Sequence, residues 1–129
     1  MALPPRISFD PGLATPAYRQ IADQIRTLCV EQLLTPDDEL PSVRRLALDL
    51  GLHFNTVAEA YRLLAEEGWL EILHGRGARV RQREKPPADQ ELVISFRRAL
   101  RQFSAEMQAR GMSRASIARE LTAWAEGLK

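Results

Sequence analysis

Apolar residues recur at spacings of three and four through Tyr18, Ile21, Ala22, Ile25, Leu28, Cys29 and Leu33, the period of one stripe along an amphipathic helix. Thr15-Pro16 precedes the stripe, which predicts Thr15 as N-cap and Pro16 at the first helical position, where a missing amide costs nothing. Thr35-Pro36-Asp37-Asp38 reads as a turn. Ser42 then caps a short helix from Val43 to Leu50 that stops at Gly51, with Val43, Leu46, Ala47 and Leu50 facing inward. A link, Leu52-His53-Phe54, leads to a second helix from Asn55 to Glu67, closed by Gly68, whose inner face is Val57, Ala60, Tyr61 and Leu64. A long helix followed by two shorter ones around a glycine turn is the helix-turn-helix arrangement.

The period then falls to two. Trp69–Leu73 and Ala78–Gln82 read as strands on either side of His74-Gly75-Arg76-Gly77, a hairpin whose glycines permit positive φ. Alternation sets Arg79 and Arg81 on one face and Val80 on the other, giving a wing with a basic outer face. Lys85-Pro86-Pro87-Ala88-Asp89 is a stiff connector. Beyond it Leu92, Phe96, Leu100, Phe103 and Met107 mark a helix that runs to Arg110 and stops at Gly111. Ser113 caps another, with Ile117, Leu121, Trp124 and Leu128 on its stripe.

The expected architecture is therefore mainly α with a small β-hairpin. Residues 1–85 form a winged helix-turn-helix domain with an N-terminal extension over 1–14, residues 86–91 a linker, and 92–129 a two-helix C-terminal segment. Within the extension, Arg6-Ile7-Ser8-Phe9 either pairs as an edge strand or stays loose. Two helices cannot bury two such stripes against each other, so Phe96, Leu100, Phe103, Met107, Ile117, Leu121 and Trp124 are expected to dimerise the chain. The alternative is that this pair packs back on its own winged domain.

Composition narrows the class. The chain has 129 residues, 45% of them hydrophobic and 27% charged, with a net charge of +1, values of an ordinary globular domain that argue for no partner by total charge alone. Distribution is more informative. Through Pro41 the carboxylates Asp10, Asp23, Glu31, Asp37, Asp38 and Glu39 outnumber Arg6, Arg19 and Arg26. From His74 to Lys85 only Glu84 opposes Arg76, Arg79, Arg81, Arg83 and Lys85.

No apolar run is long enough for a membrane span, and the first residues lack a signal-peptide pattern, so a cytoplasmic location is expected. The single cysteine, Cys29, sits on a helix stripe as a small hydrophobe and excludes an internal disulfide or a multi-cysteine metal site. There is no HExxH, Walker loop or dinucleotide-binding turn, and no cofactor, metal or enzymatic activity is expected.

Residues in order and spacing now carry a resemblance: Pro16-Ala17-Tyr18-Arg19-Gln20-Ile21-Ala22, Leu40-Pro41-Ser42-Val43-Arg44-Arg45-Leu46-Ala47, Asn55-Thr56-Val57, Leu64-Ala65-Glu66-Glu67-Gly68-Trp69-Leu70 and Gly75-Arg76-Gly77 to Val80. With these the chain resembles the GntR family of bacterial transcription regulators, over about half its length. The short tail resembles the YtrA subfamily, whose members dimerise through it. The head also fits the MocR type, but no residues remain for that branch's pyridoxal-phosphate-binding domain.

The resemblance implies a homodimeric repressor on an inverted-repeat operator in double-stranded DNA. Arg44 matches the arginine that family members use on DNA, and a planar guanidinium suits a guanine edge or a phosphate. Ser42 and Arg45 flank it. His53, Phe54, Asn55 and Thr56 match the start of the recognition helix; Asn55 suits adenine, and Thr56 a phosphate or a thymine methyl. At the wing tip His74, Gly75 and Arg76 match residues that reach the minor groove. Arg45, Arg62, Arg79 and Arg81 are phosphate candidates.

Three positions depart from the pattern. His53 stands where relatives have a capping Ser, Thr or Asn, so either the imidazole contacts DNA or the cap shifts to Asn55. Phe54 replaces a commonly polar residue, and Ala58 a common DNA-contacting Arg. No effector is implied by the residues; a dimer cleft lined by Phe103, Met107 or Trp124 is the place left for an apolar one. A rival use of the fold is protein–protein docking without specific DNA binding.

Overall fold

The computed structural model describes residues 7–75 and 77–128. The chain divides between Glu84 and Lys85 into two compact units. The first holds helix α1 (Ala17–Val30), strand β1 (Glu39–Leu40), helices α2 (Val43–Leu50) and α3 (Phe54–Glu66), and strands β2 (Leu70–Leu73) and β3 (Gly77–Val80). The second holds α4 (Gln90–Ala109) and α5 (Arg114–Gly127). A helix-turn-helix followed by a β-wing is the winged-helix arrangement expected from the sequence.

Helix α1 starts one residue later than expected. Pro16 is its N-cap, with ψ 149° and no side-chain cap bond, because an extended ψ keeps the proline outside the helix. Asp10 and Thr15 are held instead by the buried Gln20. Its Nε2 donates to the Asp10 and Thr15 carbonyls (3.0 and 2.9 Å), and its Oε1 accepts from the Asp10 N–H (3.1 Å). Gln24 treats Ser8 the same way, accepting from its N–H at 2.9 Å and donating to its carbonyl at 2.6 Å. Residues 7–9 are not a strand; the Gln24 amide satisfies the Ser8 backbone groups that a strand would have paired. Arg6 lies outside the described residues. The helix ends at Val30, and Gln32 turns with φ 62°. That turn exposes Leu33, which the stripe had placed inside, and buries Leu34 in its stead.

Helix α2 follows its signals: Ser42 Oγ accepts from the Arg45 N–H at 3.1 Å, and Gly51 closes it at φ 68°, the left-handed conformation glycine adopts without strain. Helix α3 begins at Phe54, not Asn55. Its N-cap is His53, whose Nδ1 accepts from the Asn55 N–H at 3.1 Å.

The wing has three strands in order β1-β3-β2, all antiparallel, where the sequence had shown two. Leu40 pairs with Ala78 and Leu73 with Gly77. Trp69, Arg81 and Gln82 fall outside the strands. Gly77 adopts φ 98°, and a Cβ there would strike the Leu40 carbonyl and lie 2.8 Å from Pro41 C and O. Only glycine lets β3 approach β1 so closely.

Ile21, Ile25, Leu40, Val57, Tyr61, Leu64 and Leu70 are the largest fully buried side chains, so one core joins α1, α3 and the wing. Tyr61 Oη donates to the Pro41 carbonyl at 2.8 Å, tying α3 to the entry of α2. Burial pushes the phenol well above its ordinary pKa, so it stays a neutral donor. Replacing it (Tyr61→Phe) leaves that carbonyl without its donor and is expected to cost about 1–2 kcal/mol. Urea unfolding should show a lower midpoint at unchanged slope; an unchanged midpoint would remove this bond from the account.

In the second unit Asp89 caps α4, its Oδ1 accepting from the Leu92 N–H at 2.8 Å, so the helix begins inside the stretch expected as linker. Ser113 caps α5, accepting from the Ser116 N–H at 3.1 Å. No described side chain of either helix is buried.

Candidate nucleic-acid interface

The turn between α2 and α3 sets the starts of these helices toward a common groove, and the wing forms its other wall. Ser42 at the cap of α2, Val43 and Arg44 in its first turn, Phe54 from α3, and Ile72, Leu73, Gly75 and Gly77 from the wing line it, with a volume of about 420 Å³. Residues more than thirty positions apart in sequence thus share one surface. Among the described residues its lining carries a guanidinium and no carboxylate. The positive ends of two helix dipoles open beside it, which favours an anion.

Arg44 is exposed and has no hydrogen bond or ion pair among the described residues. Its charge is free for a partner. Ser42 is engaged as the cap of α2. Arg45 is exposed and pairs with Asp49 one turn on, Nε to Oδ1 3.3 Å, a surface contact of little stability value that a phosphate can displace. His53 is exposed and uses Nδ1 for the cap, with no hydrogen bond to Nε2 among the described residues. Asn55 is therefore not the cap: it is the second helical residue, exposed, with its amide uncommitted among the described residues. Thr56 is half-buried beside it, and Ala58 likewise. Arg62 is exposed further along α3, and His74 and Gly75 are exposed at the wing tip. Arg76 lies outside the described residues.

Arg79 sits differently from its sequence expectation. Its cross-strand neighbours are Glu39 on β1 and Glu71 on β2, and its guanidinium lies 3.9 Å from a carboxylate oxygen of each. The outer face of the wing is thus balanced charge, not bare positive charge. Arg81 is exposed beyond the strand end. Arg83 stacks 4.2 Å from the Trp69 ring centroid and its Nε donates to the Glu67 carbonyl at 3.3 Å.

Two features escaped the sequence reading. Ile72 was read only as a strand residue, yet it lines the groove. Arg26 on α1 bonds Glu67 at the end of α3 (Nη2 to Oε1 2.8 Å) and Asp23 (Nη1 to Oδ1 2.7 Å). Burial works against its charge, but these carboxylates outweigh burial and raise its pKa. This strut anchors the far end of α3. Cys29 is half-buried, and burial followed by the charge of Asp38 raises its pKa, which suits packing over nucleophilic chemistry.

Among the described residues no cluster of His, Cys, Asp or Glu could hold a metal ion, and no helix is long and apolar enough to cross a membrane. In the second unit Phe96, Phe103, Leu121 and Trp124 are exposed, while Leu100, Met107 and Ile117 are half-buried.

The model of the gntR family of bacterial regulatory proteins matches residues 17–80, the span from α1 to the end of β3. The HTH-type transcriptional repressor YtrA of Bacillus subtilis is 37% identical over 97 residues, 75% of this chain and 75% of that protein. A solved structure of YtrA from Sulfolobus acidocaldarius, a GntR-family transcription factor, superposes with a TM-score of 0.57 at 38% identity, covering 73% of this chain and 96% of that one. The DNA-binding domain of AraR, solved in complex with operator ORX1, gives a TM-score of 0.50 at 25% identity over 56% of this chain and 90% of its own. Three other relatives are longer proteins, of which the match spans 16% to 37%. Fold, motif order and relatives agree: the chain belongs to the gntR family of bacterial transcription regulators.

Proposed function

We propose that the chain is a homodimeric, cytoplasmic repressor that binds an inverted-repeat operator with the groove between α2, α3 and the wing. The observation that carries this reading is the convergence of the unpaired Arg44, the start of α3 and the wing on one groove whose described lining holds no carboxylate. Arg44 and Asn55 meet base edges in the major groove, and His53 and Thr56 meet the adjoining phosphates. Arg45, Arg62 and Arg81 add further phosphate contacts and make affinity fall with salt. His74, Gly75 and Arg76 serve the flanking minor groove. Arg79, held between two glutamates, contributes least.

The second unit supports the dimer. Phe96, Phe103, Leu121 and Trp124 expose large apolar area, and a second copy is the partner that covers the stripes symmetrically. Two-fold pairing then requires an inverted repeat. A repressor role follows the YtrA relative, and occupancy of a promoter would exclude polymerase. The effector, if the dimer takes one, is assigned to the cleft near Phe103, Met107 and Trp124.

One observation favours protein docking instead: Phe54 and Ile72 are apolar and exposed beside Arg44. Selection of bound sequences from random duplex DNA separates the two readings. The regulator enriches an inverted repeat, and Phe103→Glu, which places a charge on the dimer stripe, lowers sedimentation to that of a monomer and weakens binding to the selected repeat. A pool that stays random after selection supports the docking reading.

A further inference from the structure

Two apolar side chains stand in the open on a surface otherwise suited to a polyanion. Phe54 is 48% exposed and Ile72 46%, and they line the same groove from different elements, α3 and β2. Their placement has a structural cause. In β2, Leu70 and Ile72 share one face; Leu70 is in the core, whereas Ile72 overhangs the core's edge. Phe54 is the first residue of α3, one position before Asn55, at the end of the helix that leads into the groove.

We propose that Phe54 and Ile72 form an apolar notch for the C5-methyl group of a pyrimidine, thymine in ordinary DNA, at a fixed position of each half-site beside the base pair met by Arg44. The inference rests on the DNA-binding reading of this groove. The occupant follows from continuity: the notch and the free guanidinium of Arg44 belong to one lining without a carboxylate. The thymine methyl is the apolar group that base edges present in the major groove, and aromatic side chains take it. Phe54 and Ile72 thereby supply specificity beside Arg44.

The test uses the duplex recovered by selection, remade with uracil for thymine at one position at a time, which removes the methyl and keeps the pairing. Wild type should bind about fourfold more weakly per half-site at one such position, the factor for one buried methyl. Phe54→Ala should bind the thymine and uracil duplexes equally, and Phe54→Leu should restore part of the difference. The ratio between two duplexes is a readout that a merely structural role of Phe54 does not move. A matching gain when 5-methylcytosine replaces cytosine at that position assigns the notch to the methyl whichever base carries it; loss with uracil and no such gain assigns it to thymine. If wild type binds both duplexes equally at every thymine, the notch is overturned while the DNA reading stands. If no duplex is enriched at all, both fall together.

Discussion

Replacing Arg44 (Arg44→Ala) is expected to weaken binding to the selected operator by about fivefold to a hundredfold per half-site, the ~1–3 kcal/mol that a bidentate base contact is worth. The size follows from the state of this side chain. Arg44 is exposed, has no partner among the described residues, and sits where α2 and the wing converge. Nothing in the fold is lost with it, so thermal stability should stay within about 0.5 kcal/mol of wild type. A base-reading role predicts relaxed preference at one defined position. A phosphate-only role predicts weaker binding to all sequences, with the salt slope reduced by about one. Affinity unchanged on the selected duplex would remove Arg44 from the interface. Arg45→Ala is the internal comparison: its guanidinium is already shared with Asp49, and its loss should be smaller and independent of sequence.

The second large effect is on folding. Gly77→Ala should destabilise the winged unit by about 3 kcal/mol or more. A residue at φ 98° carries a backbone strain of order 1–3 kcal/mol when it is not glycine, and its Cβ would be driven into the Leu40 and Pro41 backbone. These atoms belong to β1 and the lead into α2, so no flexible side chain can yield. Circular dichroism should show the melting temperature down by about 10 °C or more. The matched control is Gly75→Ala, where φ is 74° but no atom lies within 4 Å of the added Cβ; only the strain remains, and the drop should be far smaller. Equal melting temperatures for the two variants would mean that β1 does not lie against β3 as described.

Local signals make most of the fold legible in the sequence. Ser42, Gly51, Gly68, Gly111 and Ser113 mark helix ends through groups within a few residues of one another, and the stripe of Val57, Ala60, Tyr61 and Leu64 needs only the helix period. What escaped depends on distant parts of the chain. Strand β1 is two residues long, too short for a period, and exists because Gly77 admits it. Leu33 and Leu34 exchanged places because the left-handed turn at Gln32 ends the helix period early.

The candidate site divides along the same line. Arg44, Asn55 and the wing tip are candidates through the resemblance, which rests on residue type and order. The balance of Arg79 was not, because Glu39 lies forty positions away and meets it only through strand register. Nor was Ile72, whose exposure depends on where the core ends. The choice between His53 and Asn55 as cap needed the ring geometry, since both side chains can accept the same kind of bond.

The most direct measurement of the central claim is the affinity of the wild-type chain for its selected inverted repeat against a scrambled duplex of the same length, titrated at one near-physiological salt concentration. A sequence-specific regulator predicts a preference of about a thousandfold or more, with two chains bound per duplex. Equal affinity for the two duplexes would contradict it, leaving only a basic surface held by phosphate charge.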